Sequence, residues 1–254
     1  MTHTNHAGAA DLAPRRHHRP PMVELARRLV AELMGTAFLL AGVVGSGIMA
    51  ENLTDDVGLQ LLANAFATAG ILVALILALG PASGAHFNPA VTLADRAFGG
   101  IDTPTAAAYI CAQVTGGIVG VLVANAMFDL PVVELSTRSR SGGHLVFAEC
   151  IATLGLLLVI FGVVRSGRAS LAAFTVGGYI AAAYFFTSST SFANPAVTIA
   201  RMFSDTFAGI DPASVPGFVA AQLVATGVAV VLVRVIYPDM ARVADRVVVP
   251  HDAL

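Results

Sequence analysis

Lysine is absent from this 254-residue chain, and all fourteen basic residues are arginine. A GC-rich coding sequence accounts for that, and no function is read into it. Charge of either sign is scarce. Asp, Glu and Arg make up 12% of the residues, about half of the ~25% usual in a soluble domain. With 56% hydrophobic residues and a mean hydropathy of +0.78, this excludes water as the solvent on most faces. The net charge of −2 leaves no electrostatic footprint for nucleic acid. Cysteine is limited to Cys111 and Cys150. With no CxxC spacing they exclude a disulfide framework and make a poor metal site; buried small hydrophobes are expected. No His, Asp or Cys cluster stands at metal or nucleophile spacing, and the apolar segments lack paired acids. An enzyme, a metal and a cofactor are therefore not expected. The polar stretch 1–22 lacks the apolar core and cleavage site of a signal peptide. Its His3, His6, His17 and His18 have no scaffold to space them, so a disordered, solvated tail is expected.

Long apolar runs are what the chain does have. A membrane helix needs about 20 mostly apolar residues, and six stretches qualify: about 26–50, 59–79, 104–128, 145–164, 169–187 and 215–236. Two more, 88–98 and 194–204, are too short to cross, and each begins at Asn-Pro-Ala. Arginine orients the whole. With six spans the termini share a side, and that side carries 11 arginines, from the start of the chain, Arg96, Arg165 with Arg168, and the end. The other side carries Arg138, Arg140 and Arg201. Both termini are expected in the cytoplasm, with the protein in the plasma (inner) membrane.

The chain also repeats itself in order. "AELMGT" at 31–36 matches "AECIAT" at 148–153; "NPAVTLA" at 88–94 matches "NPAVTIA" at 194–200. "GID" recurs at 100–102 and 209–211, and "AQ" at 112–113 and 221–222. The repeats read as 23–128 and 145–238, joined by an outer connection 129–144 and followed by a tail 239–254. Each holds three spans, an odd number, so the second must enter the membrane from the opposite side. The fold class expected is an all-α integral membrane protein with six transmembrane helices, two re-entrant half-helices and an inverted 3+3 repeat. Irregular backbone at mid-membrane is tolerated where protein buries it or it lines a water-filled cavity.

Asn-Pro-Ala suits the start of such a half-helix. Pro at the first helical position loses no hydrogen bond, and Asn before it is a good cap. Asn88, Pro89 and Ala90, and Asn194, Pro195 and Ala196, should start two helices whose positive ends meet at the bilayer centre. Amide donors there favour hydroxyl oxygens, disfavour cations and set a barrier to protons along a water chain. The backbone leading in, Ser83 to Phe87 and Ser189 to Ala193, offers carbonyls on one wall, with Gly84, Ala85, His86, Ser189 and Thr190 lining it. An apolar opposite wall permits fast release.

"SGAHFNPAVT" at 83–92, with its second copy, resembles the signature of the aquaporin and glycerol-facilitator channels over about residues 25–236. The resemblance implies a pore in each subunit and a homotetramer in lipid. It also implies that Glu32 and Glu149 are buried behind the loops and brace their N–H groups. Intramembrane carboxylates are functional suspects by default, so a proton-coupled secondary transporter using Glu32 and Glu149 stands as an alternative. Members of the family usually carry Arg directly after the second box, and here that residue is Val197. Counting from the boxes places the other constriction residues at Thr68, Ala182 and Ser191. The small Thr and Ala, with the arginine lost, imply a wider and less charged constriction. It resembles the bacterial arsenic-associated branch lacking the filter arginine. Glycerol-like polyols, trihydroxy metalloids such as arsenite, and water are the solutes expected; a water-selective aquaporin is the alternative. Phe192 is the candidate for narrowing the outer mouth, with Phe185 and Phe186 lining or backing it. Arg201, one turn beyond Val197, has two readings: its guanidinium reaches the outer mouth of the pore, or it snorkels or pairs with Asp205. For Arg138 and Arg140 a solvated reading suffices.

Overall fold

The structure is a computed structural model, and the residues it describes are 21–238. The tail histidines and the segment 239–254 lie outside the described residues. The chain runs α1 (Met22–Leu53), α2 (Val57–Ser83), α3 (Pro89–Phe98), α4 (Thr103–Met127), α5 (Gly143–Arg165), α6 (Ala172–Phe186), α7 (Pro195–Ala200) and α8 (Val215–Ile236). A 3-10 turn, Ala169–Leu171, leads into α6, and another, Arg201–Phe203, follows α7. Among the described residues six helical segments are long and apolar enough to cross a membrane; α3 and α7 are not among them. Large apolar side chains such as Phe38, Phe66, Phe147 and Phe174 face outward, as a lipid solvent requires.

The two halves are built alike. In the first, α1 packs against α2 and α4; in the second, α5 packs against α6 and α8. The half-helices cross over: α3 leans on α8 and α7 leans on α4. This exchange locks the halves together and brings the starts of α3 and α7 to the centre. The α1–α4 pair is especially close. A Cβ on Gly116 or Gly120 would collide with the carbonyl oxygens of Leu33 and Ala37, so these two positions require glycine, as small-residue helix contacts in membranes do.

Two expectations about the fold need correction. Cys111 is exposed and Cys150 half-buried. Cys111 sits on an outward face of α4, where lipid rather than core surrounds a small apolar side chain. Phe185 and Phe186 are each 55% exposed, because the register of α6 turns both away from the centre.

Candidate functional site

The centre is built from the two caps. Asn88 Oδ1 accepts from Ala90 N at 2.8 Å; Asn194 Oδ1 accepts from Ala196 N at 2.9 Å and Val197 N at 3.3 Å. Each amide nitrogen then reaches across the molecule. Asn88 Nδ2 donates to Ala193 O and Asn194 Nδ2 donates to Phe87 O, both at 2.8 Å. One amide N–H of each Asn therefore joins the half-helices, and the second is left for the cavity that both residues line.

The loops feeding the caps are strained. Ala85, Phe87, Thr190, Ser191 and Ala193 all have φ between 48° and 62°, the left-handed region that non-glycine residues avoid. Gly84, at φ 85°, takes it without strain. A buried carboxylate holds each loop in place. Glu32 accepts from Ser83 Oγ (2.7 Å), His86 N (2.9 Å), Phe87 N (2.8 Å) and Gln113 Nε2 (2.7 Å). Glu149 repeats this with Ser189 Oγ (2.6 Å), Phe192 N (2.9 Å), Ala193 N (2.8 Å) and Gln222 Nε2 (2.7 Å). Both are 0% exposed, and neither lines the cavity. With four donors apiece they are braces.

The cavity holds about 60 Å³, room for a file of roughly four to six waters. Its lining combines the apolar Leu39, Val43, Leu72, Ile76, Leu156, Ile160, Val176 and Ile180 of the spanning helices with Asn88, Asn194, His86, Ser191, Ala85 and Phe87 of the loops and caps. Thr68, Phe192, Val197 and Arg201 also line it. Ala182 does not. It lies on the exposed face of α6, and Tyr184, two residues on, points inward, its hydroxyl 3.1 Å from Thr68 Oγ1. Ile180, two residues before Ala182, lines the cavity as Tyr184 does, so the count falls between them on the wrong face of the helix.

Arg201 is 2% exposed. Its Nε donates to Ala208 O, and its guanidinium carbon lies 3.5 Å from the centre of the Phe192 ring. It neither snorkels nor meets Asp205, which accepts instead from Ser136 and Thr137. Arg140 is not a solvated surface residue either. Half-buried, it lies over the same Phe192 ring at 4.9 Å. Burial, then the like charges of Arg201 and Arg138, lowers its guanidinium to about 9, which still leaves it charged at neutral pH.

The inverse end has a matching pair of another chemistry. Seven residues past each Asn stand Asp95 and Arg201, and two before it stand His86 and Phe192. As Arg201 lies on Phe192, Asp95 Oδ2 lies 3.6 Å from His86 Nε2. His86 Nδ1 meets Thr92 Oγ1 at 3.1 Å. The sequence reading passed over Tyr184 and Asp95 and took Arg140 for a solvated residue. Only Asp95 carried a readable signal: opposite charges at one position of an otherwise copied phrase.

The profile of the major intrinsic protein family matches residues 21–193. "Aquaglyceroporin AqpS" of Rhizobium meliloti (strain 1021) is 50% identical over 211 residues, 83% of this chain and 90% of the relative. "Probable aquaporin NIP4-2" of Arabidopsis thaliana is 34% identical over 163 residues, 62% of this chain and 56% of that protein. Among solved structures, the aquaglyceroporin from Plasmodium falciparum superposes with a TM-score of 0.69, covering 85% of this chain and 98% of the other at 21% identity; this likeness speaks to fold alone. Family profile, half-identical relative and shared fold converge: the chain is an integral membrane protein that belongs to the major intrinsic protein family.

Proposed function

We propose that the protein is a passive transmembrane channel for small neutral solutes: glycerol-like polyols, trihydroxy metalloids such as arsenite, and water. The observation that carries this is the small cavity, lined by apolar and polar side chains together and reaching the cross-bonded Asn caps. A polyol holds its hydroxyls to the polar groups and its carbons to the apolar ones, and nothing binds it tightly enough to stop it. The relative at 50% identity bears the name aquaglyceroporin, in keeping with this reading.

Thr68, Tyr184, Ser191, Phe192, Val197 and Arg201 form the constriction. It departs from a simple loss of bulk and charge. Tyr184 returns bulk beside the small Thr68, and Arg201 returns a guanidinium from one turn beyond Val197. Selectivity then rests on where these groups stand. A proton-coupled carrier lacks support, since Glu32 and Glu149 are each engaged by four donors and face away from the cavity. The arginine bias supports a plasma membrane orientation with cytoplasmic termini, and the family supports a homotetramer.

Stopped-flow swelling of proteoliposomes in glycerol, with parallel arsenite uptake, tests this. Flux far above empty liposomes, linear in solute and indifferent to a proton gradient, is expected. Movement of water alone would reject the polyol assignment; saturable, proton-dependent uptake would reject the channel.

A further inference from the structure

Beside the cavity, three successive carbonyls hold three guanidiniums, of which that of Arg201 lines the cavity itself. Phe207 O accepts from Arg138 Nη1 at 3.0 Å and Arg140 Nη2 at 3.2 Å; Ala208 O accepts from Arg201 Nε; Gly209 O accepts from Arg140 Nε at 2.8 Å. Neutral carbonyls fix the position of cations without cancelling their charge. Glu51 is the carboxylate at hand. Its Oε1 stands 3.8 Å from Arg138 Nη2, and its Oε2 accepts from Phe207 N. Among the described residues Arg140 and Arg201 have no carboxylate partner. Arg201 is nearly fully buried and lines the cavity, and neither of its terminal nitrogens bonds to protein among the described residues.

Two guanidiniums over one phenyl ring, one buried and one half-buried and neither bonded to a carboxylate, make a site for negative charge. Guanidinium forks match planar oxyanions with paired N–H donors, and partial burial strengthens the attraction. We propose that a small monovalent oxyanion binds between Arg140 and Arg201 above Phe192 and, seated there, obstructs the passage of neutral solutes. The obstruction rests on the cavity being the conduit; the binding does not.

The test uses the full chain and nitrate, which stays charged and cannot cross the bilayer as a neutral acid. Nitrate is compared with the bulkier gluconate as sodium salts at equal ionic strength. For the wild type, nitrate is expected to raise the thermal midpoint in detergent saturably, as a ligand of the folded state must, and to slow glycerol swelling over the same concentrations. Arg140→Gln is expected to raise the half-maximal nitrate concentration about tenfold, the loss typical of one hydrogen bond to a charged group. Arg140→Lys, which keeps the charge and loses the fork, should fall between, and serves if Arg140→Gln does not fold. Equal midpoints in the two salts, or an unchanged nitrate response in both variants, overturns the site. Arg140-dependent stabilisation in a protein that passes no glycerol would uphold the site and reject the conduit. Glycerol flux with no response to nitrate would do the reverse.

Discussion

The two half-helices share a phrase, a cap and a brace, yet they end differently. Glu32 and Glu149 hold equivalent loops with equivalent donors, and Asn88 and Asn194 exchange equivalent bonds. At the far ends Asp95 faces His86, whereas Arg201 lies on Phe192. Where strained backbone is held at mid-membrane, the caps, the carboxylates and their bonds coincide even though most loop residues between them differ. Away from the centre the copied positions are free to differ, and there one end acquires negative and the other positive charge.

The largest effects should come from breaking what the halves share. Glu32→Leu and Glu149→Leu each strand four donors, at about 1–3 kcal/mol apiece, and should each abolish recovery of folded protein by size-exclusion chromatography. A folded, stable Glu149→Leu alone would show that the second loop is held by something else. Next are the helix contacts in which the halves differ. Gly120→Val, forced against the Ala37 carbonyl, should destabilise by at least about 1–3 kcal/mol, the usual cost of overpacking. Gly227→Ala, with nothing near its Cβ, should leave the thermal midpoint of the protein unchanged or slightly raised. Smaller still is the paired cap. Asn88→Ala and Asn194→Ala should each cost about 1–2 kcal/mol in denaturant titrations. The double variant should cost less than the sum, because both cross-bonds join the same two loops. Strict additivity would mean that the caps act independently.

The reading of the sequence succeeded where chemistry is local. An Asn-Pro pair caps a helix wherever it stands, and a Glu one turn before a Thr in both repeats marks a position rather than a reaction. It failed where position depends on length. The span-five residue was counted through a loop of unfixed length: α2 runs to Ser83, but α6 stops at Phe186, three residues before the matching Ser189. A count across that loop does not fix the face of α6, and Ala182 falls between Ile180 and Tyr184, which line the cavity. Arg201 stayed undecided because a six-residue helix followed by a 3-10 turn does not project its side chains at a regular angle. Arg140 was invisible for a plainer reason: it reaches Phe192 from a connection some fifty residues away in sequence, and nothing local reports that contact.

The central claim is that selectivity resides at the arginine end of an otherwise duplicated scaffold. It is tested most directly by the ratio of erythritol to glycerol permeability in proteoliposomes carrying Arg201→Ala or Asp95→Ala. Removing the guanidinium should widen the constriction and raise the ratio severalfold. Removing the carboxylate, which stands behind His86, should leave the ratio unchanged. Equal ratios in Arg201→Ala and wild type, or a larger change in Asp95→Ala, would contradict the account.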